Sequence, residues 1–260
     1  MNLGIAGRTA VVTGASQGIG YACAHALASE GVHLALIARN GERLKLVADE
    51  LTKAYSVSCE AFACDISAPG LTDHLKRVGQ VMGVIDIIVN NAGSTASGDL
   101  YSDDESVWRS GFELKLLGYL RVIRHFAPLM VQSRWGRIVN VIGRSGVRAE
   151  PTYLAGGALN AAVINLTQAL AKELGPSQVL VNGINPGPIA TERWQRIVAQ
   201  RQALTQAAGV QDVQEAVLRK IPVGRVGEPE EVASMVAFLC SEAAAFTNGA
   251  IIGIDGGMAV

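Results

Sequence analysis

Short runs of Val, Ile, Leu and Ala recur along the chain and alternate with longer stretches in which apolar residues return every three or four positions. The runs Thr9–Thr13, His33–Ala38, Ser58–Ala63, Ile85–Asn90, Arg137–Ile142, Leu180–Ile184 and Ala250–Ile254 are apolar at nearly every residue. A strand with one face in water would alternate, so these runs predict strands covered on both faces, as in a parallel sheet. The stretches Ile19–Ser29, Arg43–Lys53, Leu71–Val81, Glu105–Ser133 and Tyr153–Leu174 carry the helical period. Strand and helix in strict alternation give right-handed βαβ units. The expected fold is α/β: a doubly wound, seven-stranded parallel sheet with helices on both faces.

No composition shift or linker divides the chain, so a single domain over residues 1–260 is expected. One segment breaks the rhythm. From residue 188 to 222 the sequence is polar and helix-prone, with no strand. Beside strand C-termini such an insertion predicts a substrate lid, or else a helix pair packed on a neighbouring subunit.

Composition narrows the function. With 22 Lys and Arg against 23 Asp and Glu, the chain lacks the basic excess of a nucleic-acid binder. No stretch of 18 consecutive apolar residues occurs and the start lacks a secretory pattern, so no membrane span is expected and a cytoplasmic location is. Cys23, Cys59, Cys64 and Cys240 form no CxxC pair. His25, His33, His74 and His125 lie far apart, so no metal site is expected.

The first strand runs into Thr13-Gly14-Ala15-Ser16-Gln17-Gly18-Ile19-Gly20 and then a helical pattern. Glycines here let the backbone turn sharply and approach a pyrophosphate, while the helix N-terminus presents free N–H groups and a positive dipole end. A glycine trio alone is weak evidence, but this one closes a strand and opens a helix, as a Rossmann-type dinucleotide site requires.

Several motifs together resemble the short-chain dehydrogenase/reductase family. These are the GxxxGxG spacing of Gly14, Gly18 and Gly20, then Asn90-Asn91-Ala92-Gly93 after the fourth strand. Asn185-Pro186-Gly187 through Ile189 and Thr191 follows the sixth, and Gly224-Arg225, Pro229-Glu230-Glu231-Val232-Ala233 and Ile254-Asp255-Gly256-Gly257 lie in the tail. The resemblance spans essentially the whole chain. It implies pyrophosphate binding at Gly14, Ser16, Gln17, Gly18, Ile19 and Gly20. It also implies adenosine contacts at Asp65, Ile66 and Asn91, with further cofactor contacts at Ala92, Gly93 and Tyr153. Nicotinamide contacts would fall at Pro186, Gly187, Ile189 and Thr191.

After the second strand the chain reads Ala38-Arg39 where an NAD site carries an acidic residue. Loss of the carboxylate and gain of a guanidinium favour a 2′-phosphate, so NADP(H) is expected over NAD(H).

The family's proton chemistry uses a tyrosine activated by a lysine one turn on, with a serine polarising the substrate oxygen and an asparagine in the preceding long helix. Here Tyr153 is followed by Gly157 at the lysine position. Lys115 stands at the asparagine position and Gly143 at the serine position, with Ser145 two residues later. Glycines at 156 and 157 each cost a helix about 1 kcal/mol relative to Ala, so they call for a reason. One reading is that Lys115 extends into the space emptied at Gly157 and brings its ammonium to Tyr153. The other is that Lys115 is solvated and the glycines allow close helix packing. Ser145, Asn140 or backbone N–H groups near Gly143 are the candidates to polarise the substrate oxygen. Arg144 and Arg148 flank that loop, either as anion contacts or as solvated side chains.

The resemblance implies an NADP(H)-dependent oxidoreductase interconverting a carbonyl and a secondary alcohol on a small or medium organic substrate, with Tyr153, Lys115 and Ser145 as catalytic groups. The alternative is a non-catalytic NADP(H)-binding sensor or scaffold. The apolar helices around Phe112–Met130 and Tyr153–Leu174 resemble the family's packing pair across a two-fold axis, which implies a homotetramer or homodimer.

Overall fold

The computed structural model describes residues 2–93, 96–102, 104–206 and 213–259. Its strands are β1 (Thr9–Thr13), β2 (His33–Ala38), β3 (Cys59–Ala63), β4 (Ile87–Asn90), β5 (Gly136–Val141), β6 (Val179–Pro186) and β7 (Ile251–Ile254). They form one seven-stranded sheet in the order β3-β2-β1-β4-β5-β6-β7, and every pairing is parallel. The expected doubly wound architecture is therefore the one observed. Strand ends differ from the sequence expectation by one or two residues: the strand stops short of the apolar run at β3, β4 and β7, is displaced by one residue at β5, and runs past it at both ends of β6.

The helices are α1 (Gly18–Ser29), α2 (Gly41–Tyr55), α3 (Leu71–Met82), α4 (Glu105–Gly111), α5 (Gly118–Ser133), α6 (Leu154–Leu174), α7 (Glu192–Gln206), α8 (Val213–Leu218) and α9 (Pro229–Leu239). Alternate strand residues face opposite sides. Ala10 and Val12 join a core with residues of α1, α2 and α9, while Val11 joins a second core with residues of α3, α5 and α6. Both faces are covered, and the strands read as continuous apolar runs for that reason.

The expected single helix Glu105–Ser133 is a correction. It is α4, then a π-helical turn over Phe112–Leu117, then α5. The π turn changes backbone hydrogen-bond spacing, which the side-chain period does not report, and it carries Lys115.

Among the described residues, Leu154–Ser177 is long and apolar enough to cross a membrane by length and composition. Here its Val163 and Ala171 lie in the core shared with α3 and α5, so it serves as a core helix.

Between β1 and β4 the strand order reverses. At such a reversal an α/β sheet carries its ligand crevice, above the C-terminal ends of the strands.

Candidate active site

The turn after β1 forms the floor of the crevice. Gly14 has φ of +68°, and a Cβ there would lie 2.8 Å from Asn91 Nδ2; at Gly20 it would lie 2.2 Å from the Gly14 carbonyl oxygen. Only glycine fits, because the turn and the next helix approach each other so closely. Asn91 locks the turn from the neighbouring loop. Its Nδ2 donates to the carbonyls of Thr13 and Gly14 at 3.1 and 3.2 Å, and Thr13 Oγ1 accepts from the amides of Asn91 and Ala92 at 3.0 and 3.1 Å. At Gln17, the N-cap of α1, the side chain makes no capping bond. The amides there remain available to an anion. Glycine cradle and uncapped helix start together fit a dinucleotide pyrophosphate, bordered by Ser16 and Ile19.

Across the crevice, Pro186 ends β6 and Gly187 packs on Asp255, where a Cβ would meet backbone at 2.8 Å. Ile189 is buried and Thr191 immediately precedes α7, its Oγ1 accepting from the Trp194 amide at 3.2 Å. A Cβ on Gly18 would lie 3.2 Å from Thr191 Cγ2, so the two sides of the crevice touch.

Arg39 is exposed at the end of β2. Burial alone would raise the Asp65 carboxyl. The Ser67 hydroxyl and amide, and then the Arg39 charge, outweigh it and hold the carboxyl below its ordinary value. Ile66 is buried against Gly118. Arg43 was not singled out from the sequence. It donates to Gln17 Oε1 at 2.7 Å and to Glu192 Oε1 at 2.9 Å, joining the glycine turn to α7.

Tyr153 caps the start of α6, and its phenol ring lies on the helix backbone at Gly156. A Cβ there would stand 2.0 Å from the ring. The Tyr153 hydroxyl accepts a hydrogen bond from Arg193 Nη2 at 3.2 Å, and Arg193 Nη1 donates to the Gly93 carbonyl at 2.9 Å. Sequence reasoning missed Arg193, which looked like one of several charges in a polar helix.

Lys115 is buried, and the π turn directs it inward, past Gly93. Its ammonium donates to the Ile142 carbonyl and to Asn160 Oδ1, the latter at 2.6 Å. Burial, followed by the Arg193 charge, pushes it down to about 7. The expectation that Lys115 fills the space at Gly157 is corrected. Among the described residues beyond its own helix, a Cβ at Gly157 would have only the Ser145 carbonyl within 4 Å, at 3.4 Å. The lysine reaches Asn160, almost one turn further along α6.

Ser145 is half-buried and accepts from Asn160 Nδ2 at 2.7 Å. Asn140 is committed elsewhere, donating to Thr167 Oγ1 and accepting from Asn90. Arg144 pairs with Glu150, and Arg148 donates to the Ala259 carbonyl, so both loop arginines are engaged within the protein.

The segment expected as a lid contains α7 and α8, with residues 207–212 outside the described residues. A cavity of about 780 Å³ opens there, lined by Ala190, Trp194, Val198 and Val226 with glutamines among them.

Comparison with known proteins finds relatives along the whole chain. The family model described as enoyl-(acyl carrier protein) reductase matches residues 14–259. The 3-oxoacyl-[acyl-carrier-protein] reductase FabG of Aquifex aeolicus is 34% identical, covering 99% of this chain and 100% of its own. The structure of L-sorbose reductase from Gluconobacter frateurii, complexed with NADPH and L-sorbose, superposes with a TM-score of 0.91 at 31% identity, covering 100% of this chain and 99% of that one. A 3-oxoacyl-[acyl-carrier protein] reductase from Brucella melitensis with bound NAD superposes with a TM-score of 0.86 at 27% identity, covering 100% of this chain and 94% of that one.

Proposed function

The chain belongs to the short-chain dehydrogenase/reductase family, and we propose that it is an NADP(H)-dependent oxidoreductase interconverting a carbonyl and a secondary alcohol on a small or medium organic substrate. One observation carries the reading. A phenol hydroxyl beside the crevice is hydrogen-bonded to a guanidinium, at 3.2 Å between Tyr153 and Arg193. The guanidinium donates to the phenol oxygen and holds it at the edge of the crevice, where the hydroxyl can exchange a proton with a substrate oxygen.

Bound nicotinamide supplies or accepts the hydride. Tyr153 holds the proton that passes to or from the substrate oxygen. Lys115 is a displaced cation behind the site, and Ser145 is the group that polarises the oxygen. Gly14, Ser16, Gln17, Gly18, Ile19 and Gly20 would hold the pyrophosphate. Asp65, Ile66 and Asn91 would hold the adenosine side, Ala92 and Gly93 the central part, and Pro186, Gly187, Ile189 and Thr191 the nicotinamide.

The fold alone does not choose the dinucleotide, since one similar structure holds NADPH and another NAD. The choice rests on Ala38 and Arg39, which remove a carboxylate from the ribose position and put a guanidinium beside it. Within residues 188–222, the described helices α7 and α8 would form the substrate lid. A second copy of the chain covers Phe112 and Leu129, which are 40% and 45% exposed on one chain. A homotetramer or homodimer in the cytoplasm is the assembly this supports.

The test is to mix the protein with NADPH and a panel of ketones and aldehydes and follow absorbance near 340 nm. Substrate-dependent oxidation is expected. Fluorescence quenching of bound NADPH without oxidation across the panel would favour the sensor or scaffold instead.

A further inference from the structure

The groups assigned above leave Asn160 unexplained. It stands inside α6, 4% exposed, where asparagine is a poor helix former. Its amide is engaged at both ends, with Oδ1 accepting from Lys115 Nζ at 2.6 Å and Nδ2 donating to Ser145 Oγ at 2.7 Å. While it is protonated, the lysine fixes which way the amide points, because an ammonium only donates. Ser145 must then accept from Asn160, which leaves the serine hydrogen free for another acceptor.

The backbone around this amide is shaped to admit it. Gly143 has φ of +136°, and a Cβ there would lie 2.8 Å from Asn160 Nδ2; on Gly146 it would lie 2.9 Å from the Asn160 Cβ. A side chain at position 143 would therefore collide with the amide, and the hydroxyl comes from position 145 instead. Tyr153 lies over Gly156, and Asn160, four residues on, shares that helix face. The two hydroxyls therefore belong to one side of α6.

We propose that Asn160 is the positioning residue for the substrate oxygen: it transmits the Lys115 charge to Ser145 and turns the Ser145 hydrogen toward that oxygen. Tyr153 and Arg193 then manage the proton separately. This rests on the oxidoreductase reading above.

Asn160→Asp tests it. The carboxylate still accepts from Lys115, but it offers Ser145 only acceptor oxygens and draws the serine hydrogen away from substrate. A kcat loss of about 10²-fold is expected, similar to Ser145→Ala, with NADPH affinity unchanged. The double variant should fall within about threefold of either single variant, because both changes remove one interaction. Losses that multiply to about 10⁴-fold would overturn the proposal. If Asn160→Asp does not fold, Asn160→Ser replaces it, being too short to span Lys115 and Ser145, with the same non-additivity expected.

A second readout needs no turnover. In ¹⁵N-asparagine-labelled protein, the Asn160 side-chain resonance, identified by its loss in the Asn160 variant, should shift in both Ser145→Ala and Lys115→Met. A resonance unmoved by either would overturn the proposal. A parent that binds NADPH but never oxidises it would count against the oxidoreductase reading, while the resonance would still decide the hydrogen-bonded path.

Discussion

Arg193 reaches the Tyr153 hydroxyl with Nη2 at 3.2 Å while its Nη1 grips the Gly93 carbonyl at 2.9 Å. The cation beside the phenol thus comes from α7, in the segment that interrupts the strand-helix rhythm, and the loop after β4 holds it in place. Arg193→Met is expected to lower kcat for NADPH-dependent carbonyl reduction by about 10- to 100-fold, on the scale of losing a charge-assisted hydrogen bond. Arg193→Lys should recover part of this, since a single ammonium cannot span both acceptors. Steady-state kinetics on the three proteins decide it, and equal rates for Met and parent would remove Arg193 from the chemistry.

Gly156 is the next place to probe. A methyl group there would stand 2.0 Å from the Tyr153 ring, so Gly156→Ala must displace the phenol. Helix propensity alone favours alanine by about 1 kcal/mol, so thermal stability should hold or rise. Turnover should fall about 10²-fold because the proton donor is misplaced. A stable variant with parental activity would show that the ring's seat on the helix is irrelevant to function.

Lys115 makes a prediction about pH. Its ammonium titrates at 10.5 when free and is pushed down to about 7 by burial and by Arg193. Between those values the unfolded chain holds a proton that the folded chain has released, so this group raises folding stability as pH rises through that range. Below about pH 7 both states are charged and the burial penalty is felt in full. The parent should gain roughly 2 kcal/mol from this residue between about pH 7 and 9. Lys115→Met should lack that gain, as urea unfolding of both proteins at each pH would reveal. Parallel stability curves would contradict a buried, readily deprotonated amine.

Arg39 bears on cofactor choice. It is exposed and close enough to act on the Asp65 carboxyl. Arg39→Glu should raise the KM for NADPH by about 10- to 100-fold and change that for NADH far less, since it sets a carboxylate against a phosphate. The effect on NADPH should shrink as salt is added. An unchanged ratio of the two KM values would mean that Arg39 does not meet the cofactor.

The sheet was legible because burial on both faces leaves unbroken apolar runs, and the glycine turn because Gly14 and Gly20 stand where no Cβ fits. Lys115 was also visible, because it stands where the family resemblance places an asparagine. Its destination was not, because the π turn over Phe112–Leu117 alters hydrogen-bond spacing without altering composition. Asn160 was overlooked as one small polar residue in an alanine-rich helix. The available signal was its place four residues after Gly156, on the face that the glycines leave bare. Arg193 offered less, since only tertiary packing separates it from the other charges of α7.

Contact between Gly18 and Thr191 has a consequence for how the protein comes to exist. One belongs to the loop after β1 and the other to the last third of the chain, so the two meet only once the later strands are in place. Dinucleotide affinity would therefore gauge completed folding, since a nascent chain stopped short of β6 would carry the glycine turn and Asn91 with no Thr191 to meet them.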